Sequence, residues 1–282
     1  MLDPTSAFSI CADTDLALER HRAAKGAPGI RYRERAHGAL LFSAITVTRE
    51  GETRLGKPRG RYLSLHFPPR ITWSEETEEA LVTALAAALA FFLLPAKRIL
   101  VAGLGNRRLT PDAFGPLTAD GVSVSAALPE SLLSLGISPP VRVAATVPDV
   151  TAHTGIESAA LVGAAARISG ADAVLAVDAL AAGERERLLS VFEIADSGTV
   201  PGSGMKRGRS ALTADALGLP VIALGMPTVV RADAAHFLVP QGLEEGVTAL
   251  SSAAARAIDL ALGFSPPTLP FSLSSLFSEE KT

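Results

Sequence analysis

Apolar and polar positions change their spacing twice along this 282-residue chain. Residues 16–35, LALERHRAAKGAPGIRYRER, are polar and broken by Gly26, Pro28 and Gly29, which reads as a short helix and a loop. ALLFSAITVT (39–48) has the β-branched and aromatic content of a strand. Glu50-Gly51 signals a turn, and RYLSLHF (61–67) alternates as a second strand, so the two predict a hairpin. Over 74–94 the period becomes helical. Ser74 can cap this helix, the glutamates of SEETEE suit its first turn, and Leu81, Leu85, Ala88, Leu89 and Phe92 fall on one stripe. The apolar run inside it is short for a bilayer span and rich in alanine, which predicts a buried helix and no membrane contact.

Beyond residue 96, short apolar strands alternate with helical stretches. The strands are KRILVAG (97–103), PVRVAATV (140–147), ADAVLAVD (171–178), LLSVFEIAD (188–196) and LPVIALG (219–225). Helices are predicted from about Pro111, over 157–169 behind a Thr154…Glu157 capping box, and over 243–262. This order predicts an α/β fold: a mainly parallel sheet sandwiched by helices, with the N-terminal hairpin extending the sheet or packing at its side. Neither a repeat nor a low-complexity linker interrupts it. A single domain over 16–282 is expected, preceded by residues 1–15, which show no period.

Composition narrows the chemistry. With 26 basic and 29 acidic residues the net charge is −3, so no nucleic-acid partner is expected. Cys11 is the only cysteine, which rules out an intramolecular disulfide, and its unpatterned setting makes it a poor nucleophile. There is no G-x-S-x-G elbow, no H-E-x-x-H and no Cys/His cluster, so no metal and no cofactor are expected. His153 lies in TAHTG just past a strand, within reach of the strand ends, but a lone histidine is more often simply accommodated.

The stretch ILVAGLGNRRLTPDAFGP (99–116) carries the first candidate. Its Gly103-Leu104-Gly105 begins a dinucleotide fingerprint, but Arg108 stands at the sixth position, and no Gly-Lys-Ser/Thr closes a P-loop. Gly103 and Gly105 then supply a sharp turn out of the strand, with a nucleotide in the Gly103–Asn106 loop kept as an alternative. Thr110 suits an N-cap and Pro111 the first helical position, which puts Asp112 in the first turn. There it either stabilises a helix start or serves a ligand site beyond the strand ends.

Asp178 ends an apolar strand, where lost hydration should raise its pKa; the plainer role is a strand-end cap for loop amides. Two carboxylates in opposed environments are what an acid–base pair requires. A third loop, Asp196 to Gly204, has glycines whose free amides could hold a substrate chain or an oxyanion. The substrate-binding candidates are Gly103, Gly105, Asn106, Gly202, Ser203 and Gly204. Lys206, Arg207 and Arg209 could pair with acidic substrate residues.

GLGNRRLTPDAFGP (103–116), HTGIES (153–158), AVDALAA (176–182), IADSGTVPGSG (194–204) and LPVIALGMPTVV (219–230) occur in this order, with TDLALE (14–19) and GKPRGRYLSL (56–65) before them. Together they resemble the germination protease family, the endopeptidases of bacterial spores. The resemblance implies a fold similar to hydrogenase-maturation peptidases and an atypical aspartic peptidase that degrades small acid-soluble spore proteins in the spore core. It implies that Asp112 and Asp178 are the essential aspartates. It further implies a homotetramer made as a zymogen, with a cut near Asp15-Leu16 that would remove Cys11. A metal held by the same carboxylates is the alternative that the maturation-peptidase likeness leaves open. The chain departs from the family pattern at Arg107-Arg108 and over Met205–Ser210.

Overall fold

The computed structural model describes residues 14–24, 26–69, 73–128, 136, 139–199, 211–231 and 236–278. Their strands form one nine-stranded sheet. The strands are β1 (Ile30–His37), β2 (Leu40–Val47), β3 (Gly60–His66), β4 (Arg98–Gly103), β5 (Arg142–Thr146), β6 (Ala173–Ala182), β7 (Val191–Ala195), β8 (Val221–Arg231) and β9 (Phe237–Leu238). The order is β1-β2-β3-β7-β8-β6-β4-β5, with β9 pairing β8. The centre, β8-β6-β4-β5, is parallel throughout. β1, β2, β3 and β7 join it antiparallel, so the N-terminal hairpin does extend the sheet, through the β3–β7 pairing.

Helices cover both faces. On one lie α3 (Glu75–Leu93), α4 (Phe114–Gly121) and α8 (Leu243–Leu262), whose apolar stripes share a core with Phe42, Leu63, Ile99, Leu175, Phe192 and Leu224. Ser74 caps α3 as the sequence predicts: its hydroxyl accepts the Thr77 amide at 3.2 Å. No helix among the described residues is long and apolar enough to cross a membrane. On the other face, α6 (Ser158–Ser169) packs on β4 and β6, while α1 (Ala17–Ala23) and α2 (Gly51–Leu55) cover Ile45, Val47 and Tyr62. Short helices α5 (Thr151–Thr154), α7 (Ala214–Leu217) and α9 (Ser274–Phe277) lie in connections and at the C-terminal end of the described chain.

Four local expectations are corrected. The strand expected to end at Asp178 runs on to Ala182 in register with β8, so Asp178 lies inside β6 and not at its end. The loop predicted up to residue 35 contains most of β1, an edge strand whose charges hide its alternation. The capping box at Thr154 does not form: Thr154 ends α5, and its hydroxyl accepts the Ile156 amide at 3.1 Å, leaving Glu157 as an N-cap without a side-chain bond. No α-helix starts at Pro111. Thr110–Asp112 is a 3-10 turn, Thr110 caps nothing, and α4 begins only at Phe114.

Candidate functional site

Parallel strands deliver their C-terminal ends to one edge; the stretch from Gly103 to Asp112 leaves β4 there, while Asp178 sits within β6 beside it. Gly103 ends β4. A Cβ on it would collide with the backbone of Gly115, so the strand and α4 approach at a distance only glycine allows. The next residues bind β6, where the Leu104 amide donates to the Val177 carbonyl at 2.8 Å. Gly105 has φ +114° and lies against Asp112. The Asp112 carboxylate accepts the Asn106 amide at 2.7 Å, and the Asn106 side chain accepts the Arg108 amide at 2.9 Å. Thr228 of β8 donates to the Pro111 carbonyl at 2.5 Å, tying the turn to the sheet. Asp112 is therefore held by the loop before it, rather than by the first turn of an α-helix. The same bonds spend loop amides that a bound phosphate would need.

Asp178 follows Val177 directly, so both aspartates border the Leu104–Asn106 segment. Asp178 is 7% exposed, and one of its oxygens accepts the Ala179 amide at 2.9 Å. It lines a cavity of about 40 Å³ with Asp15, Lys57, Tyr62, Glu193 and Thr199. The register explains the company: Asp178 pairs with Gly225, and Gly225 pairs with Glu193 on its other side. Two carboxylates thus flank a strand position that has no side chain.

The N-terminal segment is docked on the same strand. The Asp15 amide donates to the Ala181 carbonyl at 2.9 Å, and the Ala181 amide returns a bond of 2.9 Å to the Asp15 carboxylate. Glu19 accepts the Gly183 and Glu184 amides at 2.7 and 2.9 Å. Leu16 is 2% exposed, packed with Ala182, Val191 and Val230.

Elsewhere the site is mixed. His153 sits on α5 with Nδ1 3.1 Å from Asp149 Oδ1. The bond from the Val150 amide holds Asp149 below the usual carboxylate range, helped by His153 and by the charge of Arg108. Gly198 and Thr199 reach the Asp178 cavity, and Thr199 pairs with Leu212 to close the base of the loop. Cys11, Gly202, Ser203, Gly204, Lys206, Arg207 and Arg209 lie outside the described residues. A larger groove, about 700 Å³, opens between the starts of α3 and α8 beside Trp73, Leu189 and Glu245; neither aspartate lines it. Among the described residues no group of three or more His, Cys, Asp or Glu side chains is placed to hold a metal.

A model of the germination protease family matches residues 10–237. The chain belongs to the germination protease family. Germination proteases of Priestia megaterium and Bacillus subtilis are both 36% identical to it, over 213 and 236 residues, which are 72% and 78% of this chain. The chain spans 56% and 63% of those two relatives, respectively. The germination protease of Caldanaerobacter subterraneus is 35% identical over 82% of this chain and 75% of its own. Among solved structures, a NiFe hydrogenase maturation protease from Thermococcus kodakarensis is 20% identical, with a TM-score of 0.34, covering 61% of this chain and 98% of that one.

The matched span contains every described candidate of this germination protease homologue, from Asp15 to Asp178. Sequence reasoning missed Glu193 and Lys57. The signal for Glu193 was a single acid in the apolar strand VFEIA; Lys57 stood within GKPRGRYLSL (56–65), one of the stretches that carry the resemblance.

Proposed function

We propose that this chain is an endopeptidase that degrades small acid-soluble spore proteins in the spore core at germination, with Asp112 and Asp178 acting on one water molecule. It is made with an N-terminal segment that is cut near Asp15-Leu16, here assigned to the Asp15-Leu16 bond, and it works as a homotetramer on protein substrate, without binding nucleic acid itself. The observation that supports this reading is that the loop leaving β4 holds the Asp112 carboxylate through the Asn106 amide and is bonded, through the Leu104 amide, to Val177 of β6, the residue directly before Asp178, in a chain of this family.

In the reaction, one carboxylate takes a proton from water as it attacks the scissile carbonyl. The other, protonated, stabilises the carbonyl oxygen and then protonates the leaving amine. Burial beside Val177 and Leu180 suits Asp178 to the protonated role, and the hydrogen-bonded loop suits Asp112 to the ionised one. The loop glycines, including Gly202 and Gly204, offer amides to the substrate chain.

The test is cleavage of a purified small acid-soluble spore protein by the intact chain, Asp112→Asn and Asp178→Asn. Either asparagine retains an acceptor for the local amide, so both variants should fold with an unchanged far-ultraviolet spectrum and lose cleavage. Full activity in either variant removes the mechanism. A chelator arm separates the alternative: activity that survives exhaustive chelation excludes an assisting metal.

A further inference from the structure

The mechanism leaves two buried acids unused, Glu19, which accepts the Gly183 and Glu184 amides, and Glu193. Glu193 is 5% exposed, and it points to the opposite face from its neighbours Phe192 and Ile194. Its Oε2 accepts the Ala17 amide at 2.8 Å and the Ser64 hydroxyl at 3.4 Å. The cation near it is Lys57, whose Nζ lies 3.7 Å from Oε1, too far for a good hydrogen bond. Burial pushes the Glu193 pKa up and the charge of Asp15 pushes the same way; Lys57, the Ala17 amide and the Ser64 hydroxyl oppose both. A buried carboxylate held this way is costly, and a closer cation would relieve it.

The chain carries a latent cation next to it. Leu16 precedes Ala17, one peptide unit or about 3.8 Å away along the chain. Its side chain is anchored among Ala182, Val191 and Val230, so a break on its N-terminal side leaves it in place. Its amide now donates to Thr14 Oγ1 at 3.1 Å, a partner that leaves with Thr14.

We propose that Glu193 is the binding site for the α-ammonium group created at Leu16 when the Asp15-Leu16 bond is hydrolysed. The inference rests on the cut placed there under the proposed function. Water adds across the peptide bond; Asp15 keeps a carboxylate, and the Leu16 amine takes up a proton at neutral pH. When Asp15 departs, the cavity loses a negative charge, and the new terminus brings a positive one. The groups that face this exchange are Lys57, Tyr62 and Asp178. Because Glu193 and Asp178 flank Gly225, removal of the segment resets the charge beside the proposed catalytic acid.

The experiment compares the full chain with a chain whose first residue is Leu16, released from a fusion partner that leaves no extra residue. NMR follows the Leu16 amine through its titration. It should titrate at least about one unit above the usual α-amino value of about 7.7–8.0. A raised pKa of this kind gives stability that is present below the usual value and lost as pH rises through the new one. Glu193→Gln keeps an acceptor for the Ala17 amide but not the charge. It should return the amine to its usual pKa and lower Tm in the Leu16 chain, while leaving the Tm of the full chain unchanged or raised. An ordinary Leu16 pKa, or an equal Tm loss in both chains, overturns the proposal, because a merely structural glutamate would act alike in both. Sequencing the N-terminus of the naturally processed protein tests the cut separately: a start other than Leu16 refutes the placement of the cut, whatever Glu193 does.

Discussion

The two halves of the sheet use their acids in opposite ways. In the parallel half, β8-β6-β4-β5, every strand runs the same way: Asp112 is held by the loop that leaves β4, and Asp178 sits within the neighbouring β6. In the antiparallel half, β1-β2-β3-β7, neighbouring strands end at opposite edges, and the acids there act as fasteners. Asp196 accepts both the backbone and the side chain of Arg61, at 2.6 and 2.7 Å, and Glu193 holds the start of α1. Charge divides the same way. Residues 20–70, which span the first three strands, hold twelve of the 26 basic residues and three of the 29 acidic ones. Parallel topology collects groups for chemistry; antiparallel topology locks neighbours pair by pair.

That contrast can be broken in four places. The largest effect is expected at the collecting edge, where Asp112→Asn and Asp178→Asn should each reduce substrate cleavage by about 10³-fold or more, near 4 kcal/mol in barrier, in a steady-state assay. Gly103→Ala, also in the parallel half, forces a Cβ into the Gly115 backbone. It should cost about 3 kcal/mol and lower Tm by roughly 6–12 °C in a thermal melt.

The antiparallel half should fail through pH. Burial, reinforced by the Arg187 charge, holds His66 of β3 down at about 3. Its folded pKa lies below the unfolded value of about 6.5, so the folded state resists protonation, and stability falls as pH drops below 6.5. The loss should reach about 2 kcal/mol by pH 5 in urea titrations, and His66→Gln should remove that share of the slope. The smallest effect is expected from Arg61→Ala, which removes a part-exposed ion pair with Asp196 and the stacking on Phe91 and Phe277. It should cost about 1 kcal/mol and leave kcat within about twofold. A large loss of turnover in Arg61→Ala would show that the two halves are not separate in function.

Legibility in the sequence followed the same division. Helices 74–94 and 243–262 were readable because long amphipathic patterns and a serine cap are local signals. The parallel pairing of β4, β5, β6 and β8 was readable because apolar strands in alternation with helices imply it, but the place of Asp178 was not: the apolar run ALAA carries β6 four residues past the acid. β1 was not readable: an edge strand with arginines at alternate positions has the composition of a loop. The direction of β7 was hidden for another reason, since periodicity carries no information on strand polarity. The cavity around Asp178 was beyond sequence reasoning altogether. It depends on the Asp178–Gly225–Glu193 register and on the return of Asp15 to Ala181, a contact between residues 166 positions apart.

The borders of the sheet set how copies of this chain can meet. One border is β1, lined by Arg31, Arg33, Glu34 and Arg35; the other is β5, five residues long and opened by Arg142. Bringing two copies of β1 together would oppose arginines, and a ladder as short as β5 returns few hydrogen bonds. Self-association by growth of the sheet is thus disfavoured at both rims, and a tetramer of this protein would have to be assembled through its helical and loop surfaces.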